Sequence, residues 1–157
     1  LADLFKNKGI DFTIAVDDNV PLVEVDPDQI MQVLINLLKN AAEAVSQGGS
    51  VSVAGRLYDG SDPDVVREKD RNMVCIEVAD GGAGIAPEDR EKIFEPFFSR
   101  KKGGTGLGLF VSQSIVQHHH GRISVSSAPG KGASFRVYLP IARPRKGGSY
   151  EAGNPSR

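Results

Sequence analysis

Gly103-Gly104-Thr105-Gly106-Leu107-Gly108-Leu109 limits the possible folds of this chain more than any other stretch, because its glycines open directly into an apolar helical run. A glycine-rich turn feeding a helix N-terminus leaves backbone N–H groups free to face an anion, and the helix dipole favours negative charge there. Upstream lie Asp80-Gly81-Gly82-Ala83-Gly84-Ile85 and a helical segment carrying Asn36 and Asn40. A carboxylate ahead of Gly-x-Gly offers an acceptor beside backbone that a flat ring can approach closely. Asparagines spaced i, i+4 share a helix face and present neutral oxygens suited to a hard cation. The common ligand for such parts is a nucleotide with its phosphates and magnesium.

Spelling excludes the commoner nucleotide folds. A G-x-G-x-x-G fingerprint read from Gly104 or Gly106 ends on Leu109 or Val111, not on glycine. Gly130-Lys131 is followed by Gly132 and is no P-loop, and the H-R-D and D-F-G signatures are missing.

Alternating patterns run along the chain. Asp11–Val16 alternates as a half-buried strand and Leu22–Val25 reads as a second, shorter one. Asp26-Pro27-Asp28 supplies a capping side chain and a first-turn proline, so a helix is expected from there to about Val45, closed by Gly48-Gly49. Its apolar residues Ile30, Val33, Leu34, Leu37, Leu38, Ala41 and Val45 form one stripe at about 100° per residue, with Asn36 and Asn40 at its edge. Strands follow at about 50–58 and 73–79, with a polar stretch at 59–72 read as an exposed hairpin loop. A short helix at 87–94, a long one at 107–119 and a hairpin of 122–126 with 134–139 complete the pattern. Irregular alternation of strands and helices favours a two-layer α/β sandwich over a strict β-α-β repeat. The expected organisation is a domain over 1–140 and a flexible tail or linker over 141–157, where little can be buried.

In this order the motifs closely resemble the ATP-binding catalytic domain of two-component sensor histidine kinases, in the GHKL (Bergerat-fold) superfamily. Asn36-Leu37-Leu38-Lys39-Asn40-Ala41 resembles the N box, Asp80–Ile85 the G1 box, Phe94-Glu95-Pro96-Phe97-Phe98 the F box and Gly104–Leu109 the G2 box. The Asn-Ala-Ala-Glu-Ala form looks most like nitrogen-regulation kinases. The resemblance implies a mixed, mostly antiparallel sheet with helices on one face and the nucleotide between helices under a lid at 86–103. It implies ATP and Mg²⁺ as cofactors, Asn40 as the magnesium residue and Asn36 as its helper. Asp80 would accept from the adenine amino group; guanine would set a carbonyl against it, which favours ATP. Gly82, Gly84 and Ile85 would line the base and ribose. Gly104, Gly106 and Gly108, with the N–H groups of Thr105 and Leu107, would cradle the phosphates. Lys101 neutralises phosphate charge or is a solvated lid lysine, and Ser134 reaches adenine through water or is a sheet-edge hydroxyl. Phe94, Phe97 and Phe98 pack on the core or on a partner helix.

The same resemblance implies transfer of the ATP γ-phosphoryl group to a histidine on separate dimerisation helices, and onward to a response-regulator receiver domain. No His-Glu or His-Asp pair occurs in the chain, so that histidine lies elsewhere. His118-His119-His120 reads as a helix end with a cation at its C-terminus, since adjacent helical histidines diverge. The alternative is a gyrase- or chaperone-like ATPase, but its water-activating glutamate would stand where Asn36 is.

Composition narrows the partners. At 157 residues, 25% charged and net charge −1, nothing favours nucleic acid or anionic membrane. No apolar run approaches the ~20 residues of a membrane span. The single Cys75 reads as a small buried hydrophobe. A cytoplasmic domain is expected, monomeric as a fragment and homodimeric in its parent, which is compatible with an inner-membrane anchor. Leu1 is no initiator, so the chain reads as an excised piece.

Overall fold

The computed structural model describes residues 1–58, 73–101 and 103–141. The elements are α1 (Ala2–Lys8), β1 (Asp11–Val16), α2 (Pro27–Ala44), β2 (Ser50–Leu57), β3 (Met73–Asp80), α3 (Gly108–His118), β4 (Arg122–Ser127) and β5 (Ala133–Pro140). The strands form one five-stranded sheet in the order β1-β2-β3-β5-β4. β1 runs parallel to β2, whereas the other three pairings are antiparallel. The expected two-layer sandwich with a mixed, mostly antiparallel sheet is therefore the architecture found.

Strand alternation decides which face is covered. Val51, Val78, Phe135, Val137 and Ile123 pack against Ile30, Val33, Leu37 and Ala41 of α2 and Val116 of α3 in a single core. Burying the α2 stripe is what stabilises this helix, since helical propensity alone does little in water. Asp26 caps its start, Oδ1 accepting from the N–H groups of Asp28 and Gln29 at 2.9 and 3.2 Å. The opposite sheet face carries a smaller cluster of Tyr58, Met73, Cys75 and Tyr138, with Cys75 buried as expected.

Three readings need revision. Leu22–Val25 forms no strand; only Val23 bridges to Ile141, because Pro21 and Pro27 bracket a segment too short for a ladder. The expected helix at 87–94 is two separate 3-10 turns, Pro87–Asp89 and Lys92–Phe94. Asp89, which ends the first turn, is buried and turned towards Arg100, which interrupts a run too short to propagate as an α-helix. The sequence reading had no helix at 2–8. It exists as α1, stopped by Gly9 in the left-handed region at φ 57° and held by Phe5 edge-on to Phe12. The histidine run is structural, as expected, with a partner the sequence does not show: His119 Nδ1 bonds to Ile115 O and Nε2 accepts from the Asp26 N–H at 3.0 Å, tying the end of α3 to the start of α2. The expected hairpin loop at 59–72 and the tail beyond Ile141 lie outside the described residues.

Candidate functional site

Helix α2 is the spine of the site. From Asn36 to Ala44 it rises about 12 Å, and it meets a different glycine segment at each end. At Asn36, a Cβ on Gly108 would meet the side-chain oxygen, so glycine lets α3 begin against the amide without displacing it. The Asn36 amide donates to Ser112 Oγ at 2.9 Å, tying the two helices together. At Ala44, a Cβ on Gly82 would sit 2.6 Å from the carbonyl oxygen, so the Asp80–Ile85 turn passes against backbone.

Asp80 ends β3 on the helix-covered face, in register with Ala133. Its Oδ1 accepts from the Gly82 N–H at 2.9 Å. Burial raises its carboxyl above the ordinary aspartate range, against the hydrogen bonds from Gly82 and Ala133 and the nearby Lys101 charge. A carboxylate kept partly desolvated is a strong acceptor for any donor that enters. Ile85 is partly buried against the core, its N–H held by Ser127 Oγ at 2.8 Å. Gly84 has φ +73° and its missing Cβ makes room for Ala128 O.

The α3 end differs from the α2 start in one telling respect. Leu107 at its N-cap makes no side-chain capping bond, whereas Asp26 caps α2 fully. Thr105 Oγ1 reaches the Leu107 N–H only at 3.5 Å. Among the described residues no side chain caps the first turn of α3, whose N–H groups suit an anion. Gly106, at φ +66°, lets the chain cross under Phe97 and Phe98, and its carbonyl accepts the Phe97 N–H at 3.0 Å. Thr105 and Gly104 are exposed at the mouth.

The lid is braced internally and tied to α2. Arg100 grips the buried Asp89 through two bonds of 3.0 and 2.8 Å. Lys101 reaches across to α2, its ammonium 2.5 Å from Glu43 Oε2 and 3.3 Å from Asn40 Oδ1. Phe94 packs edge-on to Phe135 in the core, whereas Phe97 is 77% exposed. Asn40 and Lys101 are brought together, and the Gly104 N–H donates to Lys101 O on the approach to α3. Ser134 is not among them: it stands on the sheet face opposite the helices, where its hydroxyl donates to Glu77. Strand parity explains this, since Ala133 beside it takes the core-facing position opposite Asp80.

Sequence reasoning missed Glu77, which burial would push up but which Ser134, Arg56 and Arg136 together hold below its ordinary value. It missed the Asp89–Arg100 and Glu43–Lys101 pairs as well. The surplus of charges in the lid was the available signal.

No group of three or more His, Cys, Asp or Glu among the described residues could hold a metal ion by itself. A divalent cation here would lean on Asn40 Oδ1 and on phosphate oxygens, the sparse set that Mg²⁺ accepts. The donor chemistry fits, because that oxygen already has a cationic group beside it in Lys101.

The chain resembles known proteins over most of its length. It is 42% identical over 135 residues to "Sensor histidine kinase ZraS" of Klebsiella oxytoca, an alignment covering 86% of this chain and 27% of that protein. The solved catalytic domain of histidine kinase ThkA superposes with a TM-score of 0.72 at 33% identity, covering 88% of this chain and 84% of that one. Full-length ShkA, solved in complex with AMPPNP, gives a TM-score of 0.75 at 30% identity, covering 89% of this chain and 27% of that one. The chain spans about a quarter of the length of the ZraS relatives it matches. Residues 25–143 match the family model described as "Histidine kinase-, DNA gyrase B-, and HSP90-like ATPase", and the chain belongs to that family.

Proposed function

We propose that this domain is the ATP-binding catalytic part of a two-component sensor histidine kinase, delivering a γ-phosphoryl group to a histidine on dimerisation helices elsewhere. The observation that carries the reading is the alignment along α2, with the Asp80 turn at Ala44, Asn40 and Lys101 between, and the uncapped α3 start at Asn36. A base at one end, a cation in the middle and phosphates at the other match those three stations in order.

Each residue then has a task. Asp80 accepts from the adenine amino group. Gly82 and Gly84 admit the ring against backbone. Asn40 holds Mg²⁺, which neutralises charge on the phosphates when bound. Gly104, Thr105, Gly106, Leu107 and Gly108 present N–H groups to the phosphate tail, and Lys101 adds a point charge. Asn36 fixes the α3 mouth relative to Asn40 through Ser112. Phosphoryl transfer depends mostly on such positioning and charge neutralisation. The lid keeps water from the tail. The acceptor histidine, the receiver domain, the cytoplasmic setting and the dimeric parent belong to the same proposal. Among the described residues no helix is long and apolar enough to cross a membrane. Residue 36 is asparagine and engaged with Ser112, so the position that activates water in the hydrolysing branch holds no base.

Transfer of phosphate from ATP to a supplied dimerisation domain tests the reading. Asn40→Ala should weaken magnesium-ATP binding by roughly tenfold, about one lost charge-assisted contact. With magnesium chelated, Asn40→Ala and the unmodified chain should bind equally. Equal loss with and without magnesium would remove the assignment of Asn40. Rapid ATP hydrolysis without transfer would move the protein to the hydrolysing branch.

A further inference from the structure

Glu43 poses a charge problem. It lies three residues after Asn40 on α2, between the proposed cation position and the base, where a carboxylate repels an anionic ligand. The structure resolves this by pairing it with Lys101 from the lid, 58 residues along the chain, in a contact that also takes in Asn40 Oδ1. The two side chains are 48% and 33% exposed, so the pair is weak and solvent-screened, suited to repeated breaking. Among the described residues the lid's other charged tie, Arg100 to Asp89, joins it to its own upstream turn and not to α2.

We propose that Glu43 is a positioning residue: acting through Lys101, it latches the lid to α2 while the site is empty and surrenders the lysine when nucleotide enters. The inference rests on the nucleotide reading of the site. The Lys101 ammonium lies 3.3 Å from the oxygen assigned to the divalent cation. An incoming magnesium-nucleotide takes that oxygen and offers the ammonium a more highly charged partner than one carboxylate. Lid release is thereby coupled to filling, and Glu43 keeps the ammonium poised rather than dispersed in solvent.

Amide hydrogen exchange at Lys101 and Gly104 in the full chain tests this, without nucleotide and with saturating magnesium-ADP. Both amides are bonded within the lid, to Ser99 Oγ at 3.1 Å and Lys101 O at 3.0 Å. In the empty protein Glu43→Gln should speed their exchange about two- to fivefold, as expected for loss of one exposed ion pair. Lys101→Met should match it at Gly104, and Glu43→Lys combined with Lys101→Glu should restore the original rate. With ADP bound, Glu43→Gln and the unmodified chain should exchange alike. Unchanged exchange in the empty variants overturns the latch, as does a difference that survives undiminished with ADP. Calorimetry on the same samples reads the site separately. No ADP uptake by the unmodified chain overturns the nucleotide reading and the release half of the latch, whereas empty-state exchange still decides whether Glu43 holds the lid.

Discussion

Asp80→Asn separates what this carboxylate does for binding from what it does for the fold. Asn keeps an oxygen that can accept the Gly82 N–H, the bond now 2.9 Å long, so the turn should persist. The second carboxylate oxygen becomes an NH₂ group, and an adenine amino group would then meet a donor instead of a charged acceptor. Losing a hydrogen bond to a charged group costs about 1.5–3 kcal/mol, and a mispaired donor adds to it, so about 3 kcal/mol is expected. That is roughly a hundredfold weaker ADP binding by calorimetry. A guanine carbonyl facing the new donor should narrow or reverse the preference against GDP. Stability should move the other way. Burial raises the Asp80 carboxyl above its ordinary aspartate value, so the folded state holds its proton to higher pH than the unfolded chain does. The ionised group therefore costs stability at neutral pH, a cost that vanishes as pH falls below the ordinary value. The neutral amide carries no such cost, and melting at pH 7 should occur at the same or a higher temperature. Undiminished ADP affinity in a well-folded Asp80→Asn chain would refute the reasoning, as would weak binding accompanied by a lowered melting temperature.

Two further predictions concern stability. Lys8 donates to the carbonyls of Ala42 and Val45 at 2.8 and 3.0 Å, closing the C-terminus of α2. Lys8→Met should cost about 1 kcal/mol and lower the melting temperature by about 2–4 °C; an unchanged melt would show the cap to be idle. Glu77 accepts from Arg56 at 2.7 Å and Arg136 at 2.9 Å, and its carboxyl is held below the ordinary value of 4.5. Its stabilising effect is therefore complete above that value and is lost as pH falls through the lower folded-state one. Denaturation at pH 7 should find Glu77→Gln about 1 kcal/mol less stable, with the gap closing towards pH 3; a gap constant with pH would rule out the carboxylate as its source.

The parts of the fold set by local chemistry were readable from the residues. The α2 stripe with its Asp26-Pro27 start, the alternating strands and the glycine turns each depend on neighbours within a few positions. What escaped depends on distant partners. α1 has Leu4 and Phe5 but no stripe of its own, and it exists because Phe5 meets Phe12 and Lys8 meets the end of α2. Nothing near His119 in sequence shows that its ring accepts the N–H of Asp26, 93 residues away. Ser134 was placed by motif, but its side of the sheet was settled by the register that sets Asp80 opposite Ala133. The Glu43–Lys101 pair follows the same rule, since sequence displays charges without saying which of them meet.

Helix α2 is pinned at its two tips by side chains borrowed from elsewhere, His119 at Asp26 and Lys8 at Ala42 and Val45. A rod clamped in that manner neither slides nor tilts without breaking a clamp. The Asn40 oxygen is consequently a stationary anvil, and whatever approaches or withdraws during a working cycle must be the segment bearing Lys101.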